Sequence, residues 1–150
     1  MQLTNAGEYA VRAMLSMASK PKGTVFTILD VATEGDIPLP FLRKIVPLLT
    51  RSGYLHSSRG IGGGISLAKE ADKITLLDVV EAIEGPMMLN NCLLEPQMCH
   101  RQPHCAVHLV WREAQDKLKE TLGKYSIAQL AGSWGIHPPR ARRVKQASSK

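Results

Sequence analysis

Residues 54–68 read YLHSSRGIGGGISLA, and this stretch decides the fold. Tyr54–Ser58 (YLHSS) alternates as a strand does, and Ile65–Ala68 (ISLA) reads as a second strand. Between them, Arg59-Gly60-Ile61-Gly62-Gly63-Gly64 is a glycine-rich turn. Glycine tolerates positive backbone angles, so such a hairpin tip can come close to a surface. The rival reading is a nucleotide-phosphate cradle. A P-loop needs GxxxxGK[ST], and no Lys-Ser/Thr comes after these glycines. The dinucleotide pattern GxGxxG fails at Ile65, and residues 65–68 are strand-like, not a helix N-terminus.

Upstream, two short helices precede the hairpin. Thr27 caps the first, ILDVATEG, with Asp30 at its third position and Gly35 as the predicted stop. After the turn Asp36-Ile37, the second starts near Leu39–Pro40 and runs to Gly53. Phe41, Leu42, Ile45, Leu48 and Leu49 supply its apolar side, and Pro47 predicts a kink or a tightened last turn. Before them, residues 5–18 (NAGEYAVRAMLSMA) read as a helix, with Asn5 and Glu8 placed as a capping box and a stripe of Ala6, Ala10, Ala13, Met14 and Met17. KPKG at 20–23 ends it, and Val25-Phe26 has the character of a short strand. Helix, turn, helix, strand, glycine turn, strand is the order of a winged helix-turn-helix.

That architecture assigns candidate DNA contacts. Arg59 at the wing edge, with Gly60, Gly62 and Gly63, suits a narrow minor groove. Phe41, Arg43 and Lys44 belong to the recognition helix, whose side chains reach bases or phosphates in the major groove. Ser57, Ser58 and Arg51 are candidate phosphate contacts.

Downstream, Thr75 with Asp78 caps LLDVVEAIEG, which stops at Gly85-Pro86. Its Val79, Val80, Ala82 and Ile83 are predicted core. Residues 105–123 form the longest helical pattern, with Val107, Val110, Trp111, Ala114, Leu118 and Leu122 at three- and four-residue spacing. That stripe must be covered, either by the chain's own wing domain or by a symmetric partner, which helix-turn-helix proteins need to read two half-sites. Ser126 and Gln129 start one more short helix, IAQLAG. From Ser133 onward the chain loses periodicity and is rich in Pro and Arg, so a disordered tail touching DNA phosphates non-specifically is expected.

Composition agrees with a nucleic-acid partner. The 150 residues carry +6 at pH 7. Residues 1–70 hold eight Lys/Arg against five Asp/Glu, residues 71–132 six against eight, and residues 133–150 five against none, so the tail holds most of the excess. A basic balance favours polyanions. No apolar run approaches a membrane span, and MQLTNAGEYAVRAM is too polar for a signal peptide, so a cytoplasmic protein is expected. Thiols are then expected to be reduced.

The remaining chemistry lies in residues 92–108, CLLEPQMCHRQPHCAVH, which contain all three cysteines and three of the five histidines. Cys105 and His108 are three apart at a helix start, so they share a face, and a helix N-terminus favours the thiolate. An iron–sulfur cluster and a Cys3His zinc site both fit this donor set. His100 and His104 are read as solvated loop histidines. With no Cys-x-x-Cys and no polar cleft, a thiol redox enzyme is disfavoured.

Taken together, N-terminal LTNAGEYAVRAM, the wing R-G-x-G-G-G and the three cysteines resemble the Rrf-two family of bacterial winged-helix transcriptional regulators, the IscR- and NsrR-like proteins, over about residues 1–132. The resemblance implies a mainly α fold with a small β-wing and a long C-terminal dimerisation helix. It implies a homodimer on a palindromic promoter site, with repression favoured and activation left open by the sequence. It also implies an iron–sulfur cluster, [2Fe–2S] ahead of [4Fe–4S], whose state, redox condition or reaction with nitric oxide governs DNA binding. Cys92, Cys99 and Cys105 match the family's cysteines, although the first interval is one residue longer than usual. His108 matches the fourth ligand of the IscR-like subgroup, and Glu8 stands where some nitric-oxide sensors place an acidic ligand. Arg59 matches the wing arginine, whereas Pro40, Arg43 and Pro47 alter the recognition helix, so a relative's target sequence does not transfer. The expected organisation is a DNA-binding region at 1–70, a cluster loop (about 90–106) and dimerisation helix (about 105–124) within 71–132 of the same compact domain, and a tail at 133–150. Zinc is the alternative metal, and a cluster-free regulator working through protein contacts is the alternative function.

Overall fold

The computed structural model describes residues 3–93, 99 and 104–134. The predicted tail from 135 onward and His100 lie outside those residues. Helix α1 spans Asn5–Ala18, α2 Ile28–Glu34 and α3 Leu39–Arg51; the hairpin pairs β1, Leu55–Ser58, with β2, Gly64–Leu67; then come α4, Leu76–Glu84, α5, Ala106–Lys124, and α6, Ile127–Ala131. Short 3-10 turns occupy Ala71–Lys73 and Asn91–Leu93. The fold is mainly helical with a two-stranded antiparallel wing, as the sequence implies.

Three helix starts follow the predicted chemistry. Thr27 with Asp30, Thr75 with Asp78 and Ser126 with Gln129 each form a complete capping box. The start of α1 does not. Its cap is Thr4, one residue before the predicted Asn5, with the Thr4 hydroxyl accepting from Gly7 N–H at 3.3 Å. The choice is made by tertiary structure: Thr4 N–H and hydroxyl both donate to the Glu84 carboxylate of α4, at 3.1 and 2.6 Å. Glu8 does not return to the cap but pairs with Arg12, one turn on.

The α2–α3 turn also differs in detail. Gly35 keeps a right-handed conformation, and the residue with positive φ is Asp36, at 49°. Aspartate is among the few residues that tolerate this region. The turn folds Ile37 inward, where its N–H donates to Ala32 O at 2.8 Å and its side chain is buried. Helix α3 continues through Pro47 without a break. That proline is on the exposed face of the helix, as is Arg43, whose carbonyl loses its helical donor to Pro47. The inner face of α3 is Leu42, Ile45, Val46 and Leu49; Leu48 is only half-buried and Phe41 is exposed.

The wing register pairs Leu55 with Leu67 and Ser58 with Gly64. Phe26 bridges to Ile65 as a third, single-residue strand, each N–H donating to the other carbonyl at 2.8 Å. Gly64 permits this, because a Cβ there would overlap the Phe26 carbonyl oxygen. At the tip, Gly63 N–H donates to Gly60 O at 3.0 Å, and Gly62 has φ 77°, as the third residue of a type II turn requires.

One core joins these elements. Ala10, Ala13, Met14 and Met17 of α1 pack with Val31, Leu42, Ile45, Leu49, Leu55 and Ile65, and also with Ile74, Val79 and Ile127. Leu49 is completely buried, so truncation leaves a cavity beside α1. Leu49→Ala is expected to lower unfolding free energy by about 3 kcal/mol. Val25→Ala, at a residue 56% exposed, is expected to change it by less than about 0.5 kcal/mol in the same urea titration.

Asp78 supplies a pH signature. Partial burial pushes its carboxyl up, but Thr75 N–H and hydroxyl, each at 2.8 Å, together with Tyr54 and Lys69, outweigh that and hold it below the ordinary range. A depressed carboxylate contributes stability above its unfolded value, and the contribution is lost as pH falls through the folded value. The stability difference between wild type and Asp78→Asn is therefore expected to be constant near neutrality and to shrink below about pH 4. Urea unfolding at stepped pH measures it.

Candidate functional site

The predicted DNA contacts lie on α3 and the wing. Arg43, Lys44 and Arg51 are exposed on α3, and Ser57, Ser58, Arg59 and Gly60 are exposed on the wing. Gly62 is exposed and Gly63 half-buried, its absent Cβ leaving room for Ser58 O at 2.6 Å. Among the described residues, Arg43, Lys44, Arg51 and Arg59 make no ion pair, whereas Lys20, Lys22, Lys117 and Lys124 are paired with carboxylates. Among the described residues, the cations outside any ion pair thus include those of α3 and the wing, with Lys69 and Arg112 besides.

Two residues have more local duties than expected. Phe41 packs edge-on against Tyr9, with ring centroids 5.3 Å apart, which ties the start of α3 to α1. The Ser58 hydroxyl accepts from Gly64 N–H at 3.3 Å and so closes the loop end of the hairpin. Sequence reasoning missed Ile61. It is fully exposed at the wing tip, an unusual place for an apolar side chain, and lies two residues from Arg59.

The second candidate centre is the cysteine loop. Its entry is fastened to helices on both sides: Met87 N–H donates to the Glu81 carboxylate at 2.9 Å, and Leu89 N–H to the Gln115 side-chain oxygen at 3.1 Å. Gln115 is buried on α5, a role its polar type did not advertise. Cys92, Cys99 and Cys105 are all free thiols of intermediate burial. Cys105 is the N-cap of α5, and its carbonyl accepts from His108 N–H at 3.1 Å. His108 is buried, and its Nε2 lies 2.8 Å from Nη2 of Arg112. His104 is exposed. Glu8, the alternative ligand, is engaged by Arg12.

Among the described residues, no three His, Cys, Asp or Glu groups close into a metal cage. The donor chemistry nevertheless fits a soft-metal group: three cysteines outside any disulfide within residues 92–105, and a buried histidine in the first turn of α5. A cavity of about 700 Å³ at the base of the wing is lined by none of the cysteines.

Helix α5 turns only a narrow face inward. His108 and Gln115, seven residues and so about two turns apart, are its buried residues. The neighbouring apolar stripe is open: Val107 is 54%, Val110 63% and Trp111 40% exposed, and Ala114 is exposed as well. Farther along the predicted stripe, Leu118 and Leu122 are half-buried, so only its N-terminal part is open.

Comparison with known proteins places these features. Among solved structures, the chain is similar to CymR, the global cysteine regulator of B. subtilis, with 24% identity, a TM-score of 0.72, and coverage of 88% of this chain and 97% of that one. It is similar to T. potens IscR, with 21% identity, a TM-score of 0.69, and coverage of 89% and 88%. It is also similar to the oxidized form of Staphylococcus aureus CymR, with 23% identity, a TM-score of 0.65, and coverage of 87% and 96%. At these identities the likeness is one of fold. No helix among the described residues is long and apolar enough to cross a membrane. The family model for Rrf2, described as an iron-dependent transcriptional regulator, matches residues 3–133, so the chain belongs to the Rrf2 family of DNA-binding transcriptional regulators and is not an enzyme.

Proposed function

We propose that the protein represses transcription as a homodimer on palindromic promoter DNA, and that an iron–sulfur cluster held by Cys92, Cys99, Cys105 and His108 sets its affinity. One observation carries the reading. Cys105 and the buried His108 lie at the start of a helix whose outer residues Val107, Val110, Trp111 and Ala114 are exposed, and the thiols of Cys92 and Cys99 precede that helix in the chain. Chemistry at that loop and pairing along that helix are therefore parts of one element.

The chain's own residues divide the work. Cys105 and His108 lie within the first turn of α5, so holding both fixes where that helix begins. The cysteine loop connects α4, which packs on the DNA-reading core, with α5. Val107, Val110, Trp111 and Ala114 supply the surface for a two-fold partner, which brings two α3 helices and two wings to successive half-sites. Arg43, Lys44 and Arg51 meet phosphates or major-groove edges, while Arg59 and Ile61 approach the minor groove. When bound, the cluster supplies a centre that is sensitive to oxidation and nitric oxide. With fewer than four thiolates it is more labile than an all-cysteine cluster, and we favour the [2Fe–2S] type. His108 is preferred to Glu8 as the fourth ligand because it lies three residues from Cys105 at the start of the same helix, whereas Glu8 belongs to α1. The same four donors suit tetrahedral zinc, which metal analysis separates.

Anaerobically reconstituted protein is expected to hold iron and acid-labile sulfide in equal amounts, and Cys92→Ser, Cys99→Ser and Cys105→Ser each to lose both. One zinc per chain without sulfide would replace the cluster by a structural metal. For the DNA surface, Arg59→Ala is expected to weaken promoter binding by about tenfold and to lower the salt slope by about one. An unchanged affinity would move recognition off the wing. For the dimer, Trp111→Glu is expected to yield a folded monomer by sedimentation equilibrium, because it places a charge in the proposed seam. A dimer as tight as wild type would place the interface elsewhere.

A further inference from the structure

We propose that Arg112 is a competitor of the metal group for His108, holding the histidine when the cluster is absent and released when it is present. The inference rests on the reading of His108 as a ligand.

The geometry is local and specific. Arg112 lies one turn beyond His108 on α5, and its Nη2 is 2.8 Å from the histidine Nε2. A guanidinium can only donate. Nε2 must therefore accept, and a neutral ring in this contact carries its proton on Nδ1. A neutral imidazole has a single in-plane lone pair available, and here it points at Arg112. Ligation through Nε2 needs that same lone pair. Ligation through Nδ1 with Arg112 still in place would require the ring to lose its second proton as well. For a neutral His108, the arginine contact and a metal bond exclude each other.

Burial makes the competition matter. His108 is 5% exposed, so its ring sits in a confined position on the inner face of α5. Arg112 is exposed, so its guanidinium can swing into solvent without leaving a buried charge behind. It adjoins Trp111 of the open apolar stripe. Occupancy at the loop is thereby converted into the position of one positive charge at the edge of the proposed dimer face. Arg112 is thus a positioning residue that acts through His108 and touches neither DNA nor the cluster itself.

The test has two arms. In metal-free protein held at a pH where the ring is neutral, two-bond ¹H–¹⁵N correlation is expected to show His108 protonated on Nδ1. In Arg112→Ala the proton is expected to move to Nε2, the form most neutral histidines prefer. In reconstituted protein, a ferrous chelator is expected to strip iron from Arg112→Ala about five- to tenfold more slowly than from wild type, since a charge-assisted competitor has been removed. Combined with His108→Ala, the arginine substitution is expected to have no effect. If His108→Ala speeds iron loss but Arg112→Ala changes neither tautomer nor extraction, the competition is refuted and the ligand reading stands. If His108→Ala loses iron at the wild-type rate, His108 is not a ligand and both fall.

Discussion

The close packing of α1 is the constraint on which the rest of this structure depends. Its inner face is Ala10, Ala13, Met14 and Met17, all essentially unexposed, and it meets α2, α3, α4, α6 and β2. Two alanines in that face let neighbouring helices approach closely, and the methionines fill the irregular gaps left over. Polar ties then fix the neighbours around it. Thr4 is held by Glu84 of α4, the Arg12 guanidinium donates to Asp36 O at 3.4 Å in the α2–α3 turn, and the Ser16 hydroxyl donates to Glu34 of α2 at 3.1 Å. A larger residue at position 10 or 13 would push α1 away from α3 and from α4, the helix that leads to the cysteine loop.

The wing inherits its position from the same packing. Leu55 and Ile65 plug it into the core, and the Phe26–Ile65 bridge adds a third edge at its base. Gly64 is needed where two backbones nearly touch, and Gly60 and Gly62 where φ is positive. The tip presents Arg59 and Ile61 to solvent while Leu55 and Ile65 anchor the wing in the core. A basic side chain on a fixed root loses less freedom on meeting DNA than one on a loose loop, which is the physical value of a wing over a tail.

Local chemistry is readable from the residues, and tertiary choices are not. Thr27 with Asp30, Thr75 with Asp78 and Ser126 with Gln129 announce helix starts because both partners lie within four residues. Asn5 looks equally good as a cap, but Glu84, eighty positions from Thr4, selects Thr4. Gly35 looks like the left-handed residue, but burying Ile37 puts the turn at Asp36. On α3, Val46 and not Leu48 faces inward, because the packing angle against α1 sets which side of an amphipathic helix is used. The three cysteines and His108 stand out by type. Gln115, which clamps the loop entry, and Arg112, which occupies the histidine, are ordinary polar residues at helical spacing, and only coordinates reveal their partners.

The entry to the cysteine loop therefore belongs to the same packed unit as the proposed DNA-reading surface. It is fastened to α4 through Glu81 and to α5 through Gln115, and α5 offers an uncovered apolar face. On the proposed reading, a change in what holds Cys105 and His108 alters how two chains pair, and so the spacing between their recognition helices. The most direct test is DNA affinity measured anaerobically on one preparation, before and after its cluster is removed by chelation, with dimer content followed in parallel. The account predicts a shift of at least about tenfold in promoter affinity, well beyond titration error. Equal affinity with and without cluster, in a protein that is dimeric in both states, would contradict it.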